Sequence, residues 1–400
     1  MRIFFSVGEP SGDLHASNLI KRLRAEEPNL KAVGFGGPKM QNAGCELIYD
    51  LTQLAVMFLG AVIRHLRFFF KLIAQADEYF ATHKVDAVVL IDYPGFNWWI
   101  ARKAKKRNIP VFYYGVPQMW AWAPWRIKKI RKLVDYVICK LPFEPKWFQD
   151  RGCQAFYVGH PYFDQLNDQQ LDPEFVADLA ADQRPVVLLL PGSRNAEITG
   201  NLDTLLRSAS KIRQTHPNVR MVVSCLHAKH AEMCREQCEQ HDVDLYSDRT
   251  QELMSIATTC VACSGSVSLE LLYHRVPTVI VYKIGRLFSI VKNVFLCCKF
   301  ITLPNLMNTQ NIRRTVWGSY DPDAVDAELT IMPEYLTWRD KTDQIAGRIV
   351  QWLSSESARA ENVQQLDELA LQYAKSGATE RAASYIISHL RPAVSKKKAA

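Results

Sequence analysis

Four stretches of the chain carry residue types whose spacing could do chemistry. Asp92 follows the apolar run Val85, Ala87, Val88, Val89, Leu90 and Ile91 and precedes Tyr93-Pro94-Gly95. A carboxylate presented at a strand end can take a proton from a hydroxyl; its competing role is to cap the turn. Arg194 closes Pro191-Gly192-Ser193-Arg194 after the apolar run Val186 to Leu190, where a guanidinium fork and the Ser193 hydroxyl are placed to hold phosphate. Ser264-Gly265-Ser266 is a small-residue loop ahead of Val267-Ser268-Leu269-Glu270, a pattern that offers backbone N–H groups to a diphosphate and a carboxylate, Glu270, to the two hydroxyls of a ribose. Gly8-Glu9-Pro10-Ser11-Gly12-Asp13 is a fourth loop, with Ser11 or Asp13 expected to cap a helix over Leu14 to Arg24.

Strands and helices must position these groups. Short apolar runs at Ile3 to Val7, Lys31 to Gly34, Val85 to Ile91, Val111 to Tyr114 and Tyr136 to Cys139 alternate with helical patterns and predict one Rossmann-like half. Runs at Val186 to Leu190, Arg220 to Ser224, Val261 to Cys263 and Val276 to Tyr282 predict a second, with a helix from about Asn201. The fold class is therefore α/β, and the polar stretch between the halves reads as a linker. Expected boundaries are 1–166 for the first domain, 167–185 for the linker and 186–355 for the second domain. Helices over 356–390 are expected to return to the first domain, followed by a basic tail at 391–400.

Composition narrows the class further. The 400 residues are 48% hydrophobic and 22% charged, which excludes a disordered chain. Lys+Arg of 49 against Asp+Glu of 41 leaves +8, suited to an anionic ligand or a phospholipid surface and without the continuous cationic track of a nucleic-acid binder. The N-terminus reaches Gly8 and Glu9 too soon for a signal peptide, so the protein is expected in the cytoplasm, beginning near Met1. The ten cysteines are then expected to be reduced thiols. His230, Cys234, Cys238 and His241 fall along one helix face, but four ligands on one helix span too great a length to close on a single ion; no metal is expected.

Two segments combine apolar bulk with spaced cations: 54–73, with Phe68, Phe69 and Phe70 beside Arg64, Arg67 and Lys71, and 285–300, with Arg286, Lys292 and Lys299. Neither is an uninterrupted span, and both suit the headgroup region of a membrane; a core helix with a basic rim is the competing reading. Trp120, Trp122 and Trp125 could stack on sugar rings or pack a loop.

Taken in order, GEPSGD (8–13), DYPGFN (92–97), WAW (120–122), LPFE (141–144), VGHP (158–161), LLPGSR (189–194), SGSVSLE (264–270), LPN (303–305) and GATERAA (377–383) resemble the lipid-A-disaccharide synthase family over nearly the whole chain. The resemblance implies a GT-B fold, two Rossmann-like doubly wound domains facing across a cleft, and an inverting glycosyltransferase. It implies transfer of 2,3-diacylglucosamine from UDP-2,3-diacylglucosamine to the 6-hydroxyl of 2,3-diacylglucosamine 1-phosphate, giving a β(1→6) disaccharide and UDP with no cofactor. By the same resemblance Asp92 is the candidate base; Arg194, Glu270 and Asn305 lie on the UDP-sugar side; Gly8, Glu9, Ser11, Gly12 and Asp13 form the acceptor loop. The expected setting is the cytoplasmic face of the inner membrane, as a peripheral protein, with a homodimer admitted. The chain departs from the family pattern at Val116-Pro117, where Ser-Pro is usual, and over 306–335. Other readings are a different GT-B enzyme, such as a UDP-sugar epimerase or another lipid glycosyltransferase, and a non-catalytic membrane-bound UDP-sugar sensor.

Overall fold

A computed structural model describes residues 1–55, 66–286, 289, 295–314, 320–325 and 327–391. The chain divides into two compact units, Met1–Asp164 with Ser376–Ala400, and Gln165–Lys375.

In the first unit seven strands form one sheet: β1 (Arg2–Val7), β2 (Lys31–Gly36), β3 (Glu46–Asp50), β4 (Ala87–Ile91), β5 (Val111–Tyr114), β6 (Tyr136–Cys139) and β7 (Ala155–Tyr157), in the order β3-β2-β1-β4-β5-β6-β7. Every pairing is parallel, so both faces must be covered by helices. Side-chain alternation divides the core accordingly. Phe4, Val88, Leu90 and Tyr113 point to one face, against Phe80 and Phe96 of the helices Leu66–Thr82 and Pro94–Lys106. Phe5, Val89, Ile91 and Tyr114 point to the other, against Leu19 and Ile20 of the helix Pro10–Glu26 and Ile386 of the helix Ala378–Leu390.

The second unit holds a six-stranded parallel sheet: β8 (Val186–Leu190), β9 (Arg220–Cys225), β10 (Asp244–Ser247), β11 (Thr259–Cys263), β12 (Thr278–Lys283) and β13 (Glu334–Thr337), in the order β10-β9-β8-β11-β12-β13. Val187, Leu189, Val261 and Val279 build one core face with the helices Asn195–Thr215 and Thr342–Ser354. In each sheet the chain winds outward one way and then the other, so the strand order reverses between β1 and β4 and between β8 and β11. The crevices above those two pairs are where an open α/β sheet binds ligands.

Several expectations shift. The segment 167–185 carries a helix, Pro173–Ala181, capped by Asp172, whose carboxylate accepts from Phe175 N at 3.1 Å. Arg249 of the second unit pairs with Asp172 at 2.8 Å and lies over the Phe175 ring, so this stretch is a packed element and not a free linker. Of the two C-terminal helices, Glu356–Tyr373 stays with the second unit, tied by Arg275 to Asp367 at 2.8 Å; only Ala378–Leu390 joins the first. The first helix begins at Pro10, so Ser11 and Asp13 lie inside it and neither caps it. Of the greasy segment 285–300, the described end buries Leu296, Cys298 and Phe300 and pairs Lys299 with Glu328, but leaves Phe295 46% exposed. That end is therefore core at Leu296, Cys298 and Phe300, with Phe295 still facing outward. Residues 56–65 and most of 287–294 lie outside the described residues, as does the basic tail after Arg391.

Candidate active site

Asp92 stands at the end of β4, at the reversal point of the first sheet. It and Tyr93 both have left-handed backbones, with φ of 46° and 44°. Each such residue costs on the order of 1–3 kcal/mol and persists only where its surroundings hold it. Here they do: the Asp92 carbonyl accepts from Tyr113 Oη at 2.7 Å and from Asn97 Nδ2 at 2.8 Å. Asn97 is fully buried and also takes the Ser6 hydroxyl on its Oδ1 at 2.6 Å, which ties β1 to the loop. With its main chain held, Asp92 projects its carboxylate upward, a quarter exposed, and Lys140 Nζ lies 3.6 Å from Oδ1.

Small residues admit this arrangement. A Cβ on Gly8 would overlap the Tyr93 ring, and one on Gly115, at the end of β5 with φ of 69°, would lie 2.8 Å from Lys140 Nζ and 3.0 Å from Asp92 Oδ1. Gly12 is buried beside Asp92, while Glu9 and Ser11 are exposed at the rim. Glu9 adds negative charge that, after burial, raises the Tyr93 hydroxyl above its ordinary range. Asp13 does something else: its carboxylate accepts from the backbone N–H of Gly37, Lys39 and Met40 at 2.9, 3.0 and 3.0 Å, capping the short helix Pro38–Asn42. Its side chain is buried and spent on structure.

Behind Asp92 the strand ends supply groups to which the sequence reading gave no role. Glu144 is buried and accepts from Trp120 Nε1 at 3.1 Å and from the amides of Lys140 and Leu141, both at 3.0 Å. One carboxylate thus joins WAW to LPFE and fixes the backbone that carries Lys140. Trp120 is packed, whereas Trp122 and Trp125 are exposed. His15 is lowered to about 3 by burial, then by Lys140 and Lys39; His160 is lowered well below its usual value by burial, then by Lys140 and His15. Asp164 accepts from the amides of Gly377, Ala378 and Thr379 at 2.6, 3.1 and 2.8 Å and from the Thr379 hydroxyl at 2.6 Å. GATERAA is therefore a helix start latched to the helix Tyr162–Asp168 that follows VGHP, with Arg381 Nε on the Val158 carbonyl at 2.7 Å.

In the second unit the reversal point between β8 and β11 gathers most of the expected nucleotide residues. Ser193 N donates to Glu197 Oε2 at 3.0 Å, and Arg194 Nη1 to Glu197 Oε1 at 2.7 Å, with the guanidinium 79% exposed. A Cβ on Gly192 would lie 3.5 Å from Cys263 Sγ, so this loop touches the end of β11. There Ser264 N is taken by Val281 O at 3.2 Å, leaving the amides of Gly265 and Ser266 ahead of the helix Val267–Tyr273 with no backbone partner among the described residues. Glu270 is largely buried and receives the Gln251 amide; Gln251 Oε1 in turn lies 3.0 Å from His274 Nε2. Burial, then Arg275, lowers His274 to about 4, so its neutral ring donates to Gln251 and turns that amide's NH2 toward Glu270.

Asn305 departs from its expected role. Its Nδ2 donates to Met332 O at 2.7 Å and Glu334 Oε2 at 3.1 Å, and its Oδ1 accepts from Met332 N at 3.1 Å. Buried and saturated, it ties the helix Leu303–Asn308 to β13. Of the candidate metal row, His230 turns to Asn195 at 3.2 Å, His241 to Ser210 at 3.0 Å, and Cys234 to Cys225 at 3.7 Å. The four side chains do not converge.

Solved structures share this architecture. UDP-GlcNAc 2-epimerase from Neisseria meningitidis, bound to UDP-GlcNAc, superposes with a TM-score of 0.61 at 11% identity, over 97% of this chain and 100% of that one. Two doubly wound units with loops of this kind at their reversal points define the GT-B class. Residues 3–369 match the family described as Lipid-A-disaccharide synthetase, and the chain belongs to that family. The lipid-A-disaccharide synthase of Coxiella burnetii (strain CbuK_Q154) is 32% identical over 389 residues, 96% of this chain and 97% of the relative. That of Myxococcus xanthus is 30% identical over 394 residues, 98% of each. The chain is accordingly a UDP-sugar-dependent glycosyltransferase of lipid A biosynthesis; the epimerase and sensor readings are not favoured.

Proposed function

We propose that the chain transfers 2,3-diacylglucosamine from its UDP derivative to the 6-hydroxyl of 2,3-diacylglucosamine 1-phosphate, with Asp92 as general base. The observation that carries this reading is the strained, doubly anchored backbone of Asp92, which presents a partly exposed carboxylate at the ligand-binding end of its sheet. As the acceptor oxygen attacks the anomeric carbon, its proton passes to Asp92 and the carbon–oxygen bond to UDP breaks on the opposite face. A single displacement inverts configuration.

The departing diphosphate takes donors from Arg194 and from the amides of Gly265 and Ser266, and Glu270 receives the ribose hydroxyls. No metal is invoked in this scheme. To reach a phosphate, the exposed Arg194 guanidinium exchanges Glu197 for the ligand, a small cost for a surface ion pair.

A lipid acceptor calls for a membrane surface. Phe70 and Trp99, 53% and 42% exposed, meet edge-to-face at 5.9 Å, with Arg102 over the Trp99 ring at 4.5 Å and Arg67 and Lys71 exposed nearby. Exposed aromatics ringed by cations suit the headgroup layer, here on the cytoplasmic face of the inner membrane. Among the described residues no helix is long and apolar enough to cross it.

The test is UDP release from UDP-2,3-diacylglucosamine on adding the 1-phosphate acceptor, with the product identified by mass spectrometry. Asp92→Asn is expected to keep UDP affinity and to lose turnover by about 10²–10⁴-fold. Near-normal turnover in that variant would remove Asp92 from the base role, and an epimerised UDP-sugar as product would replace the transfer reading.

A further inference from the structure

Lys140 has no place in the scheme above, yet it stands beside the carboxylate that does the work. It follows β6 directly, its backbone N–H is pinned to Glu144, and its ammonium lies in the notch left by Gly115. The 3.6 Å separation from Asp92 Oδ1 is longer than a charge-assisted hydrogen bond, so the two groups face one space without closing on each other. His15, from the first helix, and His160, from the loop after β7, lie close enough to feel the ammonium: burial first, and then the Lys140 charge, lowers both rings. His160 Nδ1 accepts from the Tyr162 amide at 3.3 Å, which places its proton on Nε2 as a donor. The cluster therefore holds a carboxylate for a hydroxyl, an ammonium, and, in His160, an imidazole able to donate a hydrogen bond.

We propose that Lys140, with His15 and His160 beside it, binds the anomeric phosphate of the acceptor sugar. This rests on the reading of Asp92 as the base toward a sugar 1-phosphate. In such a sugar the 6-hydroxyl and the anomeric phosphate flank the same ring oxygen, on one edge of the pyranose. A base and an ammonium side by side match that edge: the hydroxyl meets Asp92 while the phosphate meets Lys140. Specificity for a phosphorylated acceptor then comes from the residue next to the base. It also keeps the phosphate's charge off Asp92, whose carboxylate must remain available for the proton.

The experiment compares kcat and KM of wild type, Lys140→Met and Lys140→Arg with two acceptors, 2,3-diacylglucosamine 1-phosphate and its dephosphorylated counterpart. Wild type is expected to prefer the phosphorylated acceptor through KM. Lys140→Met should lower that preference by about 10- to 100-fold, the weight of a lost hydrogen-bonded charge, and Lys140→Arg should retain most of it. If Lys140 only positions Asp92, both acceptors slow together and the preference ratio stays, which overturns the proposal while the transfer reading stands. If wild type releases UDP with neither acceptor, the transfer reading fails and the proposal with it.

Discussion

The Tyr113 hydroxyl donates to the main-chain carbonyl of Asp92 at 2.7 Å, not to its carboxylate. Tyr113 is fully buried under the β4–β5 pair, so the base is steadied from below through its peptide while its side chain stays open to a substrate. Burial, then the Asp92 charge, raises this phenol well above its ordinary value, so it stays a neutral donor. Tyr113→Phe should slow turnover by about tenfold through kcat, leaving the donor KM unchanged, because it removes one of two anchors from a strained backbone. Steady-state kinetics checks this; an unaltered kcat would mean that Asn97 suffices.

Asn305 should matter to stability and not to UDP binding. Asn305→Ala takes the side-chain partner from the Met332 N–H and C=O and removes one donor from the Glu334 carboxylate, which keeps the Ile301 and Thr302 amides, a cost of about 1–3 kcal/mol. Denaturant unfolding should show that loss, and calorimetry on the folded fraction should return wild-type UDP affinity. A selective loss of UDP affinity at full stability would restore Asn305 to the ligand.

The latch on the C-terminal helix can be opened at one residue. Asp164→Ala removes the acceptor of the Gly377, Ala378 and Thr379 amides and of the Thr379 hydroxyl, a helix cap worth about 1–2 kcal/mol. Hydrogen exchange over 378–390 should accelerate in that variant, with β1 and β4 unchanged. Equal protection throughout would show that Ala382, Ala383, Ile386 and Ile387 hold the helix by packing alone.

Acid should weaken the fold through its buried histidines. His274 is depressed to about 4 and His15 to about 3, while in the unfolded chain each titrates near 6.5. Below about pH 6.5 the unfolded state binds the protons first, so the stability present at neutral pH is lost toward the folded values, by about 1.4 kcal/mol per pH unit for each such group. Burial pushes the carboxyls of Glu144 and Glu334 the other way, upward, so their share is full at low pH and falls as pH rises through their folded values. The difference between wild type and His274→Gln isolates one histidine: unfolding at pH 7 and pH 5 should show a shallower loss in the variant. Identical slopes would mean that His274 takes up its proton in the folded protein.

The sequence by itself determined the α/β class, the interior strands β1, β2, β4, β5, β6, β8, β9, β11 and β12, and the arrival of Asp92 and Arg194 at strand ends. Apolar runs report burial on both faces of a parallel sheet, and that information is local. Nine motifs in order were enough for the family. The four edge strands β3, β7, β10 and β13 escaped because they are short and make no apolar run, the first three being largely half-exposed. Tertiary structure alone decided which polar group meets which: Asp13 goes to the Pro38 helix and Asn305 to β13, and Glu144 joins two motifs. It also brought Lys140 beside Asp92 and left Ser264 without a free amide. A carboxylate or amide looks the same in sequence whether it awaits a substrate or closes a turn. The difference is set by strand order, which stacks residues remote in sequence over the same crevice.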